Sequence, residues 1–156
     1  MQTCRKESLI LSVLLSLAAC SLLAIGTASA DLASNFQMGQ KALRYQQWDR
    51  ALHYFSNAIK ENPKFSPAYH ARAIAYSKQG QYDKSIEDLK TAVHLNPDFV
   101  QAYGLLGVVY EIKKDYASAL KVYRAALHRV KTPAAKRALK NWIADMELRL
   151  QRQQKR

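Results

Sequence analysis

The chain repeats itself every 34 residues, and that period leaves few folds open to it. Trp48, Tyr82 and Tyr116 stand 34 apart, as do Ala51, Ser85 and Ala119, then Ala58, Ala92 and Ala126, then Gly39, Ala73 and Gly107. Asn62-Pro63 returns as Asn96-Pro97 at the same step. A fixed period of this size marks stacked copies of one helical hairpin, each burying its apolar face only against its neighbours. Architectures of this kind bind other proteins far more often than they carry out chemistry.

Each copy carries two apolar stripes at helical spacing. In the second, Ala68, Tyr69, Ala73 and Tyr76 form one stripe, and Ile86, Leu89, Ala92 and Val93 form the other. Gly80 between them is suited to the left-handed conformation that ends a helix; Gln46 and Lys114 hold that place in the other copies, at a modest strain cost. Asp49 and Asp83 fall in the first turn of the second helix, at the positive end of its dipole. Asn62-Pro63 and Asn96-Pro97 stop that helix, because proline disfavours helical geometry in the residue before it. Gly39, Ala73, Gly107 and the trio Ala51, Ser85, Ala119 let the paired helices approach closely, while Trp48, Tyr82 and Tyr116 are wedges between copies.

The first 30 residues stand apart from the repeat. Arg5 and Lys6 precede an apolar run from Leu9 to Ile25, and Ala28-Ser29-Ala30 offers small residues before Asp31. Those are the parts of a secretory signal peptide over 1–30, so the chain is expected to be exported, to the periplasm or beyond. Leu17-Ala18-Ala19-Cys20 resembles a bacterial lipobox, although Leu22 to Ile25 stays apolar after the cysteine. Cleavage after Ala30, lipidation at Cys20 and retention as an uncut anchor are the three outcomes this segment admits. Cys4 and Cys20 are the only cysteines, which leaves the rest of the chain without disulfides, thiolate metal sites or a cysteine nucleophile.

No enzyme motif occurs: there is no P-loop, dinucleotide fingerprint, H-E-x-x-H or G-x-S-x-G. His53, His70, His94 and His128 share no ligand spacing on one helix face, and His94 and His128 occupy equivalent, solvent-facing places. The expected protein is therefore non-catalytic, with neither cofactor nor metal. The net charge of +12 is concentrated at the end, where residues 129–156 hold nine Lys or Arg against two Asp or Glu. Arg149, Arg152, Lys155 and Arg156 form a basic surface that reads as a solvated helix face or as a patch for anionic membrane or envelope polymer. Nucleic acid suits the charge but neither export nor the lack of a reader motif.

Leu106-Gly107, Tyr110, Tyr116, Ala119, Tyr123 and Ala126, with Tyr82, Ala92 and Pro97 one copy earlier, resemble the tetratricopeptide repeat in identity and spacing. The resemblance covers 32–65, 66–99 and 100–131 as three repeats. Pro133 falls two residues later than the earlier prolines predict, and one more helix over 133–153, with a basic tail to 156, resembles the terminal helix that covers such a stack. Thr132 is its expected cap, and Leu139, Trp142, Ile143, Met146 and Leu150 its apolar face. The implied fold is all-α: a right-handed α-solenoid of three hairpins plus a capping helix.

In tetratricopeptide stacks the first helices line a concave groove that holds peptides or partner helices. By repeat register the groove here presents Phe36, Gln40, Leu43 and Arg44, then His70, Ile74, Ser77 and Lys78, then Gly104, Val108, Glu111 and Ile112. Phe36, Leu43, Ile74 and Val108 give it an apolar floor. Some family members hold a C-terminal carboxylate with a clamp of cations and amides. The matching places are Phe36, Gln40, Ala71, Gln101 and Leu105, which lack the charge that role requires. The expected function is an envelope adaptor that binds a protein segment in its groove; the alternative is a structural or assembly factor held to a membrane or larger complex by the basic C-terminal helix.

Overall fold

Each repeat punctuates itself with the same backbone geometry, and this spaces the helices. The computed structural model describes residues 31–155: α1 covers 31–44, followed by α2 (Trp48–Glu61), α3 (Ser66–Lys78), α4 (Tyr82–Leu95), α5 (Val100–Ile112), α6 (Tyr116–Leu127) and α7 (Pro133–Gln154). No strand occurs among the described residues. Residues 1–30, which carry the expected export signal and Cys20, and the terminal Arg156 lie outside them.

The turn inside each hairpin is left-handed in all three copies, with φ of 57° at Gln46, 74° at Gly80 and 58° at Lys114. The next amide then reaches back to a carbonyl five residues earlier: Gln47 to Ala42, Gln81 to Tyr76 and Asp115 to Tyr110, each at 2.9 Å. These bonds satisfy carbonyls that the helix end would otherwise leave without partners. Two copies therefore accept the left-handed strain of a side-chain-bearing residue, roughly 1–2 kcal/mol, to keep the same hairpin.

Between hairpins, Asn62 and Asn96 are extended, with φ of −136° and −132°. Their side-chain oxygens accept from the amides of Lys64 at 3.0 Å and Asp98 at 3.1 Å, closing a short turn around the proline. The third copy lacks the Asn-Pro pair: His128 remains helical, and the chain continues to Thr132, whose hydroxyl caps α7 by accepting from Ala135 N–H at 3.4 Å. The first-turn acids also change there. Asp49 and Asp83 sit inside α2 and α4, whereas Asp115 moves to the cap of α6 and accepts from Ser118 N–H at 3.1 Å.

Packing runs from neighbour to neighbour: α2 on α3, α3 on α4, α4 on α5, α5 on α6 and α6 on α7, with α3 also touching α5. Ala51, Ala58, Ala73, Ala92, Ala119 and Ala126 are fully buried, which explains why the repeat keeps them small. Trp48, Tyr82 and Tyr116 are half-buried, and the rings of Tyr82 and Tyr116 pack against the cores of the second and third hairpins. Helix α7 closes the last hairpin with Leu139 and Met146 buried and Ile143, Leu150 and Ala135 partly so. Trp142 departs from the expected apolar face: it is 47% exposed, at the flank of the helix, with its ring 5.5 Å from that of Tyr123.

The three glycine-or-alanine positions conceal a second pattern. A methyl on Gly39 would lie 2.5 Å from Phe55 Cε1, and one on Gly107 would lie 2.2 Å from Tyr123 Cε1. The middle copy has Ala73 opposite Leu89, both fully buried. Glycine thus accompanies an aromatic ring and alanine accompanies leucine, so the summed volume of the pair is held nearly constant.

Candidate functional site: the face of the first helices

The positions expected to line the groove divide into those engaged inside the stack and those left open. Phe36 is half-buried, with its ring 5.1 Å from Phe65 in an edge-on arrangement and 5.7 Å from Phe55. One repeat later, His70 lies 4.8 Å from Phe99 in the same register. These pairs join the first helix of one repeat to the residue that opens the next. Burial holds the His70 pKa below its ordinary 6.5, so the ring is neutral where it packs. Leu43 packs against the core of the first hairpin.

Ser77 lies 2.9 Å from Ser85, whose hydroxyl donates to the carbonyl of Ala73, also at 2.9 Å. Glu111 accepts from the Tyr123 hydroxyl. Burial first, and then this bond to a carboxylate, push the Tyr123 pKa upward and keep the phenol protonated. Ser77 and Glu111 thus both stabilise their own hairpins.

Gln40, Arg44, Lys78, Val108 and Ile112 are exposed, Val108 by 43% and Ile112 by 49%, while Ile74 is half-buried. Gln40, Leu43 and Arg44 line a shallow depression of about 320 Å³ on α1. The open positions form two rows along α1, α3 and α5: Gln40, Ile74, Val108 and Arg44, Lys78, Ile112. Cations mark the first two helices of the face and aliphatic side chains the third. Gly104 is half-exposed, with no side chain or neighbouring helix within 4 Å of where its Cβ would stand.

The period alone did not reveal a polar clamp between the first two repeats. Arg72 donates to both carboxylate oxygens of Asp88, at 2.8 and 2.7 Å, and to Ser56 Oγ at 3.0 Å. Its guanidinium also lies 5.7 Å from the Tyr69 ring and 5.9 Å from the Tyr76 ring. The bond to Asp88 is the main reason its pKa is raised. The sequence signal was a paired departure: Arg72 stands where the other copies have Met38 and Leu106, and Asp88 where they have Tyr54 and Val122. A second tie recurs at a spacing of 30, Gln79 to Asp49 at 2.7 Å and Lys113 to Asp83. The first-turn acids therefore reach across to the next repeat in addition to facing the helix dipole.

At the other end, Arg149 and Arg152 on α7 and Lys155 at its C-cap are exposed. Arg149 Nε donates to Asp145 at 2.8 Å, which raises its pKa. Lys114, Tyr116, Arg149, Arg152 and Gln153 line an open depression of about 310 Å³ where α7 passes the α5–α6 turn. Among the described residues, no three of His, Cys, Asp and Glu cluster to hold a metal, and no helix is long and apolar enough to cross a membrane. His94 and His128 are exposed.

Comparison with known proteins bears on the architecture. A family model described as tetratricopeptide repeat matches residues 70–138. No curated protein matches the chain. Among solved structures, the TPR2B domain of yeast Sti1 in its pHsp70 complex superposes with a TM-score of 0.70 at 24% identity, covering 76% of this chain and 98% of that one. The Arabidopsis OM64 TPR domain gives 0.69 at 22%, covering 77% and 97%. The first TPR of Spaghetti (RPAP3) bound to the HSP90 peptide SRMEEVD gives 0.69 at 20%, covering 78% and 97%. At these identities the likeness is one of fold. With its 34-residue period, its recurring left-handed hairpin turn and its neighbour-to-neighbour packing, this chain has the tetratricopeptide-repeat fold, and its residues 70–138 match that family's model.

Proposed function

We propose that the protein is a non-catalytic adaptor of an exported compartment, holding a segment of a partner protein along the face formed by α1, α3 and α5. One observation carries this reading: the two rows Gln40, Ile74, Val108 and Arg44, Lys78, Ile112 continue across three successive first helices, exposed at every position but the half-buried Ile74. Contiguous exposed aliphatic and cationic side chains of this kind suit an extended or helical peptide that carries carboxylates towards α1 and α3 and apolar residues towards α5. The HSP90 and HSP70 peptides named for the similar structures belong to those proteins. A carboxylate clamp is not available here, since Phe36 is packed on Phe65 and Ala71 is buried. The export reading rests on residues 1–30.

Photo-crosslinking in the producing cell tests the proposal. A photoreactive residue at Val108 or Ile112 is expected to trap one dominant protein, and Ile74→Asp is expected to abolish the product without changing the circular dichroism. Trapping from Arg152 but not from Val108 would transfer the function to the basic end of α7, as a structural or assembly factor. Intact mass of the mature protein tests export: a chain beginning at Asp31 indicates signal cleavage, a diacylglyceryl Cys20 a lipoprotein, and an intact Met1 removes both.

A further inference from the structure

The N-terminal end of the stack exposes a surface that both later repeats bury. Leu106 and Val109 on α5 are 3% and 0% exposed because α4 seats on them through Ile86 and Leu89. In the second repeat, Ala75 is fully buried and Arg72 is bound to Ser56 of α2. The equivalents in the first repeat are Met38 for Leu106 and Lys41 for Val109. Met38 is 41% exposed and Lys41 is exposed.

The tie at a spacing of 30 shows the same asymmetry. Asp49 and Asp83 of a preceding second helix bind Gln79 and Lys113. Tyr45 occupies that register in the first repeat and is 67% exposed. Met38, Lys41, Tyr45, Arg50 and Tyr54 together line a depression of about 310 Å³.

We propose that this end is a second docking surface, distinct from the groove, and that its occupant is an amphipathic helix of a partner protein bearing carboxylates, seated as α2 and α4 seat on the repeats that follow them. Charge complementarity selects the occupant. Lys41 and Arg50 flank the apolar patch, and neither ion-pairs with a carboxylate among the described residues. The corresponding positions to Lys41 are Ala75 and Val109, so a helix entering this seat meets a cation where the internal interfaces are apolar. A first-turn carboxylate on the incoming helix is placed to accept from the Tyr45 hydroxyl, as Asp49 accepts from Gln79. A second copy of this chain fits less well. Its α2, α4 and α6 are each covered by the helix that follows, and its exposed α7 presents Arg137, Lys140 and Arg152 to Lys41 and Arg50.

Methionine footprinting of the full chain with dilute peroxide is the test. Met38 is expected to oxidise quickly and Met146, 1% exposed, slowly. The probe is a peptide of residues 81–95, the chain's own acidic α4, stapled on its outward face because a free helix of this length is marginal. It is expected to slow Met38 oxidation saturably, by about threefold at twice its Kd. The same peptide with Asp83→Lys, Glu87→Lys and Asp88→Lys is expected to give no protection. An unchanged rate in excess peptide overturns the proposal, as does equal protection by the lysine peptide. Slow oxidation of Met38 in the chain alone also overturns it: if it depends on protein concentration the occupant is a second copy, and if not, residues 1–30 cover the surface.

Discussion

Replacing Gly107 by alanine separates helix propensity from packing, because the two make opposite predictions. Taken as helix propensity alone, Gly107→Ala in the interior of α5 stabilises by roughly 0.5–1 kcal/mol. The packing forbids it: the added methyl would meet Tyr123 Cε1 at 2.2 Å, Cζ at 2.4 Å and Oη at 2.8 Å. Ordinary contact begins at 3.4 Å, so α5 and the ring must separate by about 1.2 Å. Tyr123 has little room to yield, being 1% exposed, bonded to Glu111 and packed beside Trp142. Overpacking on this scale costs about 1–3 kcal/mol. The expected net effect is a loss of about 1–2 kcal/mol after the propensity gain.

The second repeat supplies the compensating change, since Ala73 faces Leu89 there. Tyr123→Leu alone loses ring contacts and the bond to Glu111. Added to Gly107→Ala it relieves the clash, so the double variant is expected to be more stable than the sum of the singles by about 1–3 kcal/mol. Urea unfolding followed by far-UV circular dichroism measures all four corners of the cycle. Gly104→Ala is the control on the same helix. With no side chain or neighbouring helix within 4 Å of its Cβ, it is expected to stabilise. If Gly107→Ala stabilises like Gly104→Ala, or if the double variant is merely additive, the pairing of glycine with an aromatic ring is coincidence.

Three further outcomes follow from particular contacts. Asp88→Ala leaves the Arg72 guanidinium, 19% exposed, with only Ser56 and two aromatic faces, and is expected to cost about 2–4 kcal/mol. Arg72→Leu with Asp88→Val, the residues of the third repeat, is expected to recover most of that in the same denaturation assay. Because the pKa of His70 is depressed by burial, the unfolded chain binds the proton first. The stability of the neutral ring is complete above about pH 6.5 and is lost as pH falls through the folded value. His70→Phe, the residue of the first repeat, is expected to flatten that part of a stability-versus-pH curve. Lys114→Gly, at φ of 58°, is expected to raise the urea midpoint, because the roughly 1–2 kcal/mol of strain relieved exceeds the about 0.5–1 kcal/mol of backbone entropy that glycine adds, whereas Gly80→Ala at φ of 74° is expected to lower it.

Much of this architecture was readable before any coordinate, for a physical reason: a repeat supplies its own internal comparison. The left-handed turn at Gln46 and Lys114 follows from Gly80, the extended Asn62 and Asn96 from the prolines after them, and the cap at Thr132 from Pro133. What escaped were contacts between residues 12 to 30 apart, on helices whose relative orientation a period does not give. Arg72 with Asp88, Gln79 with Asp49 and Tyr123 with Glu111 are all of this type. Trp142 differs for the same reason: it belongs to the apolar stripe by spacing, yet it is 47% exposed while Leu139 and Met146 of that stripe are buried.

Divergence between the copies therefore has two causes, which the structure separates. Some positions change because an internal partner changes with them. Ser77 and Glu111 answer Ser85 and Tyr123, and Arg72 answers Asp88, while Phe36 and His70 are two solutions to packing on the same partner, Phe65 and Phe99. Those changes preserve the stack and carry no information about a ligand. Gln40, Ile74 and Val108, with Arg44, Lys78 and Ile112, also change from copy to copy, but all except the half-buried Ile74 are exposed. Selection for folding alone gives no reason for a cation at Arg44 and Lys78 and an aliphatic side chain at Ile112. The partner segment proposed above, lying across the three helices in one direction, would supply one. Exchanging Lys78 and Ile112 keeps composition and net charge while reversing that order. It is expected to leave the urea midpoint within about 0.5 kcal/mol of its starting value, as surface changes do, and to abolish the crosslink from Val108. A crosslink that survives the exchange would place specificity elsewhere than on these two rows.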